Sequence, residues 1–160
     1  MFSSAVSWLG FVAICFGAAG IGSVFTASSV KTWYPALLKP AGTPPAWVFG
    51  PVWSTLYLLM GTAAWLVWRQ RSETNVWLPL ALFFVQLCLN AAWSYIFFGL
   101  RQPGAALIGI GLLLVAIVLT ATSFVTVSRP AFWLMTPYLA WVAYATYLNF
   151  GICWLNREVV

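Results

Sequence analysis

The stretch that decides the fold is QPGAALIGIGLLLVAIVLTATSFVTVS, residues 102–128, which contains no charged side chain. An α-helix needs roughly 20 apolar residues to cross the hydrocarbon core of a bilayer. Four further uncharged runs of similar length, residues 1–30, 40–68, 74–100 and 130–156, are separated by the few charged residues of the chain. A water-soluble domain would spread charge over its whole surface. The pattern therefore predicts an all-α integral membrane protein, a bundle of five transmembrane helices.

The amino-acid composition also indicates a protein surrounded by lipid. Apolar residues make up 63% of the chain and charged residues 6%, where soluble domains have about half and a quarter. The net charge of +5 comes from single residues at predicted helix ends, without the basic stripe of a nucleic-acid surface. We expect one multi-pass membrane domain over residues 1–160, in a bacterial cell membrane or an organellar outer membrane. Alternate loops carry nearly equal positive charge, so the orientation stays open.

The predicted spans cover about residues 6–25, 47–67, 77–98, 105–127 and 132–155. One long connection, residues 27–46, joins the first two spans and contains four of the nine prolines. We expect this stiff first loop to act as a lid. Pro137 lies inside the fifth span, where a proline removes one backbone donor and favours a kink.

Several kinds of chemistry are disfavoured. The predicted spans contain no charged residue and the chain contains no histidine. The three cysteines, Cys15, Cys88 and Cys153, fall in separate spans without metal-ligand spacing. The pattern argues against hydrolytic or metal catalysis and predicts no required cofactor.

Polar and aromatic residues follow one face of three spans at helical spacing. The faces comprise Phe49, Trp53, Tyr57 and Gly61; Gln86, Asn90, Trp93, Ser94 and Phe97; and Trp141, Ala145, Leu148 and Asn149. One interpretation is that the amides only join helices through hydrogen bonds. The other is an apolar pocket with a few orienting polar groups. Trp53, Trp93 and Trp141 lie too deep in their spans for headgroup anchors, which favours the pocket.

Three segments carry a resemblance to a known family. They are WYPALLKP (33–40) with PPAWVFGPVW (44–53), QLCLNAAW (86–93), and PYLAW (137–141) with ATYLN (145–149). In this order they resemble the translocator protein, or tryptophan-rich sensory protein, family of five-span membrane proteins, over nearly the whole chain. The resemblance implies a clockwise helix bundle, dimeric in most members, that binds porphyrins, sterols or isoquinoline-type ligands.

The resemblance also implies that Trp53, Asn90 and Trp141 line the pocket and that Ala145 abuts it. Together with the helical faces and the loop, it gives the predicted ligand-binding residues. They are Trp33, Tyr34, Pro45, Phe49, Trp53, Tyr57, Asn90, Trp93, Phe97, Trp141, Ala145 and Leu148. Lys31 or Lys39, near the lid, is expected to meet the propionates of a porphyrin.

Two departures from the family pattern concern function. The loop has Ala41-Gly42-Thr43 where the family usually has an aromatic residue, and Phe150 replaces the tyrosine of its sterol motif. The main hypothesis is a membrane binding protein for planar hydrophobic ligands, chiefly tetrapyrroles. The alternatives are a passive carrier of apolar cargo, a light-dependent porphyrin-degrading enzyme acting through tryptophan, and a small assembly or regulatory subunit.

Overall fold

The computed structural model describes residues 4–157. They form five long helices: α1 (Ser4–Ser29), α2 (Ala46–Trp68), α3 (Trp77–Ser94), α4 (Pro103–Val127) and α5 (Arg129–Leu155). A π-helical turn, Tyr95–Gly99, extends α3, and a short 3₁₀ turn, Tyr34–Ala36, lies in the first loop. No strand occurs in this part of the chain. The prediction of an all-α fold with five helices is confirmed, and α1 runs four residues further than the predicted span.

Three helical segments are both long and apolar enough to cross a membrane: Ser4–Ser29, Trp77–Gly99 and Pro103–Val127. The helices α2 and α5 are of similar length, 23 and 27 residues. Their tryptophans, tyrosines and prolines make them less hydropathic than α4, although neither has a charged residue in its interior. The chain is a multi-pass integral membrane protein.

The helices close into a ring in the order α1, α2, α5, α4, α3 and back to α1. The closest approach of α1 and α2 is at Gly61, where an added Cβ would lie 2.8 Å from the Cα of Val12. Backbone meets backbone at this point, which only a glycine allows. It lies in the half of the bundle that contains the N-terminus of α1 and the C-terminus of α2.

Pro137 does not interrupt α5, which runs from Arg129 to Leu155. The proline leaves the carbonyl of Trp133 without its usual amide donor. The hydroxyl of Thr136 donates to this carbonyl at 2.8 Å. A neighbouring side chain therefore supplies the missing hydrogen bond, as is common in membrane helices.

Candidate functional site

A cavity of about 450 Å³ lies between α1 and α2, in the half of the bundle next to the first loop. This volume is in the usual range for small-molecule sites, about 300–1,000 Å³. Its lining consists of Phe16, Ala19, Gly22, Ser23, Thr26 and Ala27 of α1; Val30, Lys31 and Tyr34 of the loop; Ala46, Phe49, Gly50, Trp53, Ser54 and Tyr57 of α2; and Trp93, Ser94 and Phe98 from α3 and its π turn.

Small side chains create this space. Most of the lining residues of α1, and Ala46, Gly50 and Ser54 of α2, are too small to fill the gap between the helices. A Cβ built on Gly50 would meet nothing within 4 Å. The contact of Gly61 with Val12 holds the same two helices together further along. The cavity is thus a consequence of residue size, with the helices fixed at one end.

Aromatic rings form the inner wall. The rings of Trp53 and Tyr57 lie 5.6 Å apart and are inclined by 31°, and the ring of Tyr138 meets Trp53 edge-on at 6.2 Å. Trp93 and Phe49 continue the wall on either side. Offset and edge-to-face ring contacts of this kind are favourable and restrict the orientation of each ring. The wall offers a flat apolar guest surfaces against which it can stack.

Buried amides lie behind the wall and hold its rings in place. Asn90 accepts a hydrogen bond from the hydroxyl of Tyr57 at 2.6 Å and donates to the hydroxyl of Tyr138 at 3.2 Å. Asn149 accepts from the indole N–H of Trp93 at 3.1 Å and donates to the carbonyl of Pro103 at 2.9 Å. Both amides join three helices or helix ends. Both amides therefore position the rings of the aromatic wall.

Two lysines lie near the loop end of the cavity, and they differ in what they contact. Lys39 donates from Nζ to the carbonyls of Pro35 and Leu37 at 3.2 and 3.0 Å and lies 5.0 Å over the ring of Tyr34. Lys31 is exposed and lines the cavity, and its ammonium forms no hydrogen bond, ion pair or cation–π contact within residues 4–157. Lys31 is therefore the cation available to an anionic group on a guest.

Tyr34 closes the cavity beside these lysines. Burial raises the pKa of its hydroxyl above the usual value of 10.0, and the proximity of Tyr144 adds to the rise. A phenol in this setting stays neutral at physiological pH. The positive charge of Lys31 is thus not offset by the neighbouring tyrosine.

Three positions of the first loop, 38, 41 and 42, are hydrogen-bonded to α5 or to the residue that follows it. The side chain of Asn156 accepts from the amide of Leu38 at 3.0 Å and donates to the carbonyl of the same residue at 2.9 Å. The hydroxyls of Tyr144 and Tyr147 donate to the carbonyls at positions 42 and 41, the second at 3.1 Å. The carbonyls of Ala41 and Gly42, in the segment without an aromatic residue, are thus acceptors for α5.

The structure brings together part of the predicted site. Tyr34, Phe49, Trp53, Tyr57 and Trp93 line the cavity. The other seven predicted residues, Trp33, Pro45, Phe97, Asn90, Trp141, Ala145 and Leu148, lie outside its lining. Four of them belong to α3 and the segments next to α2 and α3, and the other three lie on α5.

Trp33 and Phe97 pack on each other at 5.7 Å, next to the cavity. Pro45 precedes the first residue of α2 and is exposed. Asn90 is behind the wall, as described above. Trp33, Phe97 and Asn90 thus act on the site through other side chains.

The fifth helix lies further from the cavity than the sequence led us to expect. Trp141 is half-buried, with its ring 6.0 Å from Phe49 and 5.8 Å from Tyr144. Its indole N–H is buried and has no hydrogen-bond partner among residues 4–157. Ala145 is half-buried and Leu148 is buried on the same helix. The physical reason is the ring order, which places α5 between α2 and α4 while the small residues open the space on the α1 side of α2.

Sequence reasoning missed the contribution of α1. Its lining residues other than Phe16 are small, and small residues at helical spacing are also the general signal of close helix packing. Periodicity alone does not separate a helix that packs tightly from one that borders a cavity. The one usable signal was that small residues occur at corresponding depths on both helices, at Gly22 to Ala27 and at Ala46 to Ser54.

Comparisons with known proteins agree with the resemblance noted in the sequence. The model of the TspO/MBR family matches residues 11–155. The tryptophan-rich protein TspO of Chlorobaculum tepidum is 44% identical over 149 residues, covering 91% of this chain and 92% of that protein. The protein of the same name from Archaeoglobus fulgidus is 44% identical over 138 residues, 84% and 87% of the two chains. The human translocator protein is 44% identical over 135 residues, 82% and 79% of the two chains.

Proposed function

This chain belongs to the TspO/MBR family, and we propose that it is a membrane binding protein for planar hydrophobic ligands that carry a carboxylate, of which porphyrins are the type. The observation that supports this most is the cavity between α1 and α2. It combines an aromatic wall, a wall of small residues and one unpaired cation. Sterols and isoquinoline-type compounds are apolar enough to enter but lack an anionic group for Lys31.

The aromatic wall supplies the stacking surface. Trp53 is held between Tyr57 and Tyr138 by ring contacts, and Tyr57 is held by Asn90. A ring system that enters the cavity meets surfaces that are already oriented, so little side-chain entropy is lost on binding. The opposite wall of small side chains lets a flat guest approach α1 closely.

Lys31 gives the site its selectivity for an anionic edge. Its ammonium lies at the loop end of the cavity, where the guest would meet water and headgroups. A porphyrin would thus place its macrocycle against Trp53 and its propionates toward Lys31. The first loop, attached to α5, would cover this end as a lid.

Titration of the purified protein with protoporphyrin, read as quenching of tryptophan fluorescence, tests the stacking surface. We expect saturable quenching in the wild type, and an affinity at least tenfold lower in Trp53→Ala. Trp133→Ala is the matched control, because Trp133 is 67% exposed on α5 and does not line the cavity. Equal affinities for wild type and Trp53→Ala would overturn the proposal.

The lysine is tested with two ligands that share one macrocycle, the first with ionised propionates and the second with uncharged methyl esters. Lys31→Gln should weaken protoporphyrin binding about fivefold, the effect of one exposed charge pair worth about 1 kcal/mol, and leave the dimethyl ester of protoporphyrin unaffected. Lys39→Gln removes the same charge from a side chain already bonded to loop carbonyls, so it should change neither affinity. An equal loss in both variants would show a general surface charge effect instead.

We also propose, as a second candidate, passive carriage of the same ligands across the bilayer. The observation that favours it is that Phe16, Ser23, Ala27, Gly50 and Ser54 line the cavity and are exposed on the bundle surface. The cavity is thus open on the side that faces the acyl chains. Porphyrin flux into proteoliposomes should exceed flux into protein-free vesicles and fall in Trp53→Ala. Equal flux in all three preparations would remove this candidate.

A further inference from the structure

A second cleft lies at the opposite end of the bundle, in the turn between α2 and α3. Its volume is about 540 Å³ and its lining is Trp68, Arg71, Ser72, Glu73, Thr74, Asn75, Val76 and Trp77. Unlike the cavity between α1 and α2, it is bordered by hydroxyls, an amide, a guanidinium, a carboxylate and two indoles. None of its residues is shared with the first site.

Two guanidinium groups of this turn are stacked on indole rings. Arg71 lies 4.5 Å over the ring of Trp68 and donates from Nη1 to the carbonyl of that residue at 3.1 Å. Arg69 lies 4.9 Å over the ring of Trp65. Stacking on an aromatic face orients a guanidinium and leaves its in-plane N–H groups free to bind oxygen atoms.

The rings under these guanidiniums are themselves fixed. The indole N–H of Trp65 donates to the carbonyl of Ser4 at 3.1 Å. The ring of Trp68 packs against Phe11 at 6.1 Å and against Trp77 at 6.4 Å. The turn that connects α2 and α3 is also ordered, because the backbone amides of residues 73 and 74 both donate to the carbonyl of residue 70 at 2.9 Å.

The positive charge of the turn is not neutralised by its own carboxylate. Glu73 is the single acidic side chain among residues 4–157, and its Oε1 accepts from the hydroxyl of Ser72 at 3.2 Å. Neither Arg69 nor Arg71 forms an ion pair within the same residues. The turn therefore has an uncompensated positive charge next to Trp77, which is 71% exposed. Exposed indoles of this kind lie at the level of the lipid headgroups.

We propose that this turn binds the phosphate of an anionic phospholipid in the cleft, with Arg71 as its ligand and the hydroxyl and amide groups of Thr74 and Asn75 beside it. Arg69 lies outside the cleft lining, two residues away on the same turn, and adds a second positive charge. Planar guanidiniums match phosphate oxygens in two-pronged hydrogen bonds. The flanking indoles contact the upper acyl chains, which a soluble compound such as glycerol phosphate lacks. The site is independent of the porphyrin cavity.

The test is native mass spectrometry of the detergent-purified protein titrated with phosphatidylglycerol or phosphatidylcholine. We expect the wild type to retain one phosphatidylglycerol in preference to phosphatidylcholine. Each juxtamembrane arginine contributes about 1 kcal/mol toward an anionic lipid, or about fivefold in affinity. The double variant Arg69→Gln/Arg71→Gln should therefore bind phosphatidylglycerol about 25-fold more weakly, and each single variant about fivefold more weakly. The affinity for phosphatidylcholine should not change.

Arg129→Gln is the matched control, because it removes an exposed cation from the same end of the bundle but from the start of α5, outside this turn. It should bind phosphatidylglycerol as the wild type does. Porphyrin quenching in the double variant should also equal the wild type, which separates this site from the proposed function. A loss in Arg129→Gln as large as in the double variant, or competition by glycerol phosphate at the same concentration as the lipid, would overturn the proposal.

Discussion

Two buried amides of α3 and α5 provide a quantitative test of how the interior is held together. Asn149 makes two interhelical hydrogen bonds, with the indole of Trp93 and the carbonyl of Pro103, and a weaker one to Cys153 of its own helix. Gln86 is fully buried, yet neither its Oε1 nor its Nε2 has a partner among residues 4–157. Replacing each amide by an apolar side chain of similar size, Asn149→Leu and Gln86→Met, should therefore change stability in opposite directions.

The magnitudes follow from what each substitution leaves behind. Interhelical hydrogen bonds in a membrane protein average about 0.6 kcal/mol each, and a buried donor left without a partner costs about 1–3 kcal/mol more. Asn149→Leu loses two bonds and strands the N–H of Trp93, so we expect a loss of about 2 kcal/mol. An unpaired buried amide itself costs about 1–3 kcal/mol, so Gln86→Met should gain about 1 kcal/mol.

The assay is reversible unfolding in mixed micelles at increasing mole fractions of sodium dodecyl sulfate, followed by near-ultraviolet circular dichroism. The two variants are compared with the wild type under the same conditions, so errors in the extrapolation cancel. A loss of 1 kcal/mol or more in Gln86→Met would refute the reasoning, because it would mean that Gln86 has a stabilising partner such as a buried water molecule. An unchanged free energy of unfolding in Asn149→Leu would show that the hydrogen bond to Trp93 does not stabilise the protein.

Two further predictions concern the cavity and the loop. Gly50→Leu should lower porphyrin affinity at least tenfold without lowering stability, because a Cβ at Gly50 meets nothing within 4 Å and the side chain would occupy the cavity. Gly17→Leu, on α1 with equally open surroundings but outside the lining, is the control and should bind normally in the same titration. Asn156→Ala removes both hydrogen bonds to Leu38, so hydrogen exchange at the Leu38 amide should accelerate at least tenfold. Unchanged exchange would mean that the contacts of the loop with Tyr144 and Tyr147 are sufficient.

The helices were predictable from the sequence because membrane solvation imposes a simple rule on charge. Every charged residue among 4–157 except Arg129, the first residue of α5, lies in a connection between helices or beyond α5. The rule does not predict the exact helix ends: α1 continues to Ser29, although serine and threonine are weaker helix formers than alanine or leucine. Helix number and type therefore follow from charge alone, and the exact ends do not.

The position of the cavity was less predictable than its aromatic wall. Trp53, Tyr57 and Trp93 were identified because polar and aromatic residues at helical spacing mark an interior face. Whether Trp141 or Phe16 completes that face depends on the ring order of the helices, which short connections do not determine. The role of the amides could not be predicted, because a sequence does not distinguish an amide that binds a ligand from one that positions another side chain. Asn90 is of the second kind, since it orients Tyr57.

The most direct test of the binding proposal is a structure of the protein with bound protoporphyrin. The ligand should lie between α1 and α2, with its macrocycle against Trp53 and a propionate within 4 Å of the Lys31 ammonium, the usual limit for an ion pair. Ligand density on the far side of α2, between Trp141 and Ala145, with the space beside Gly50 empty, would contradict it.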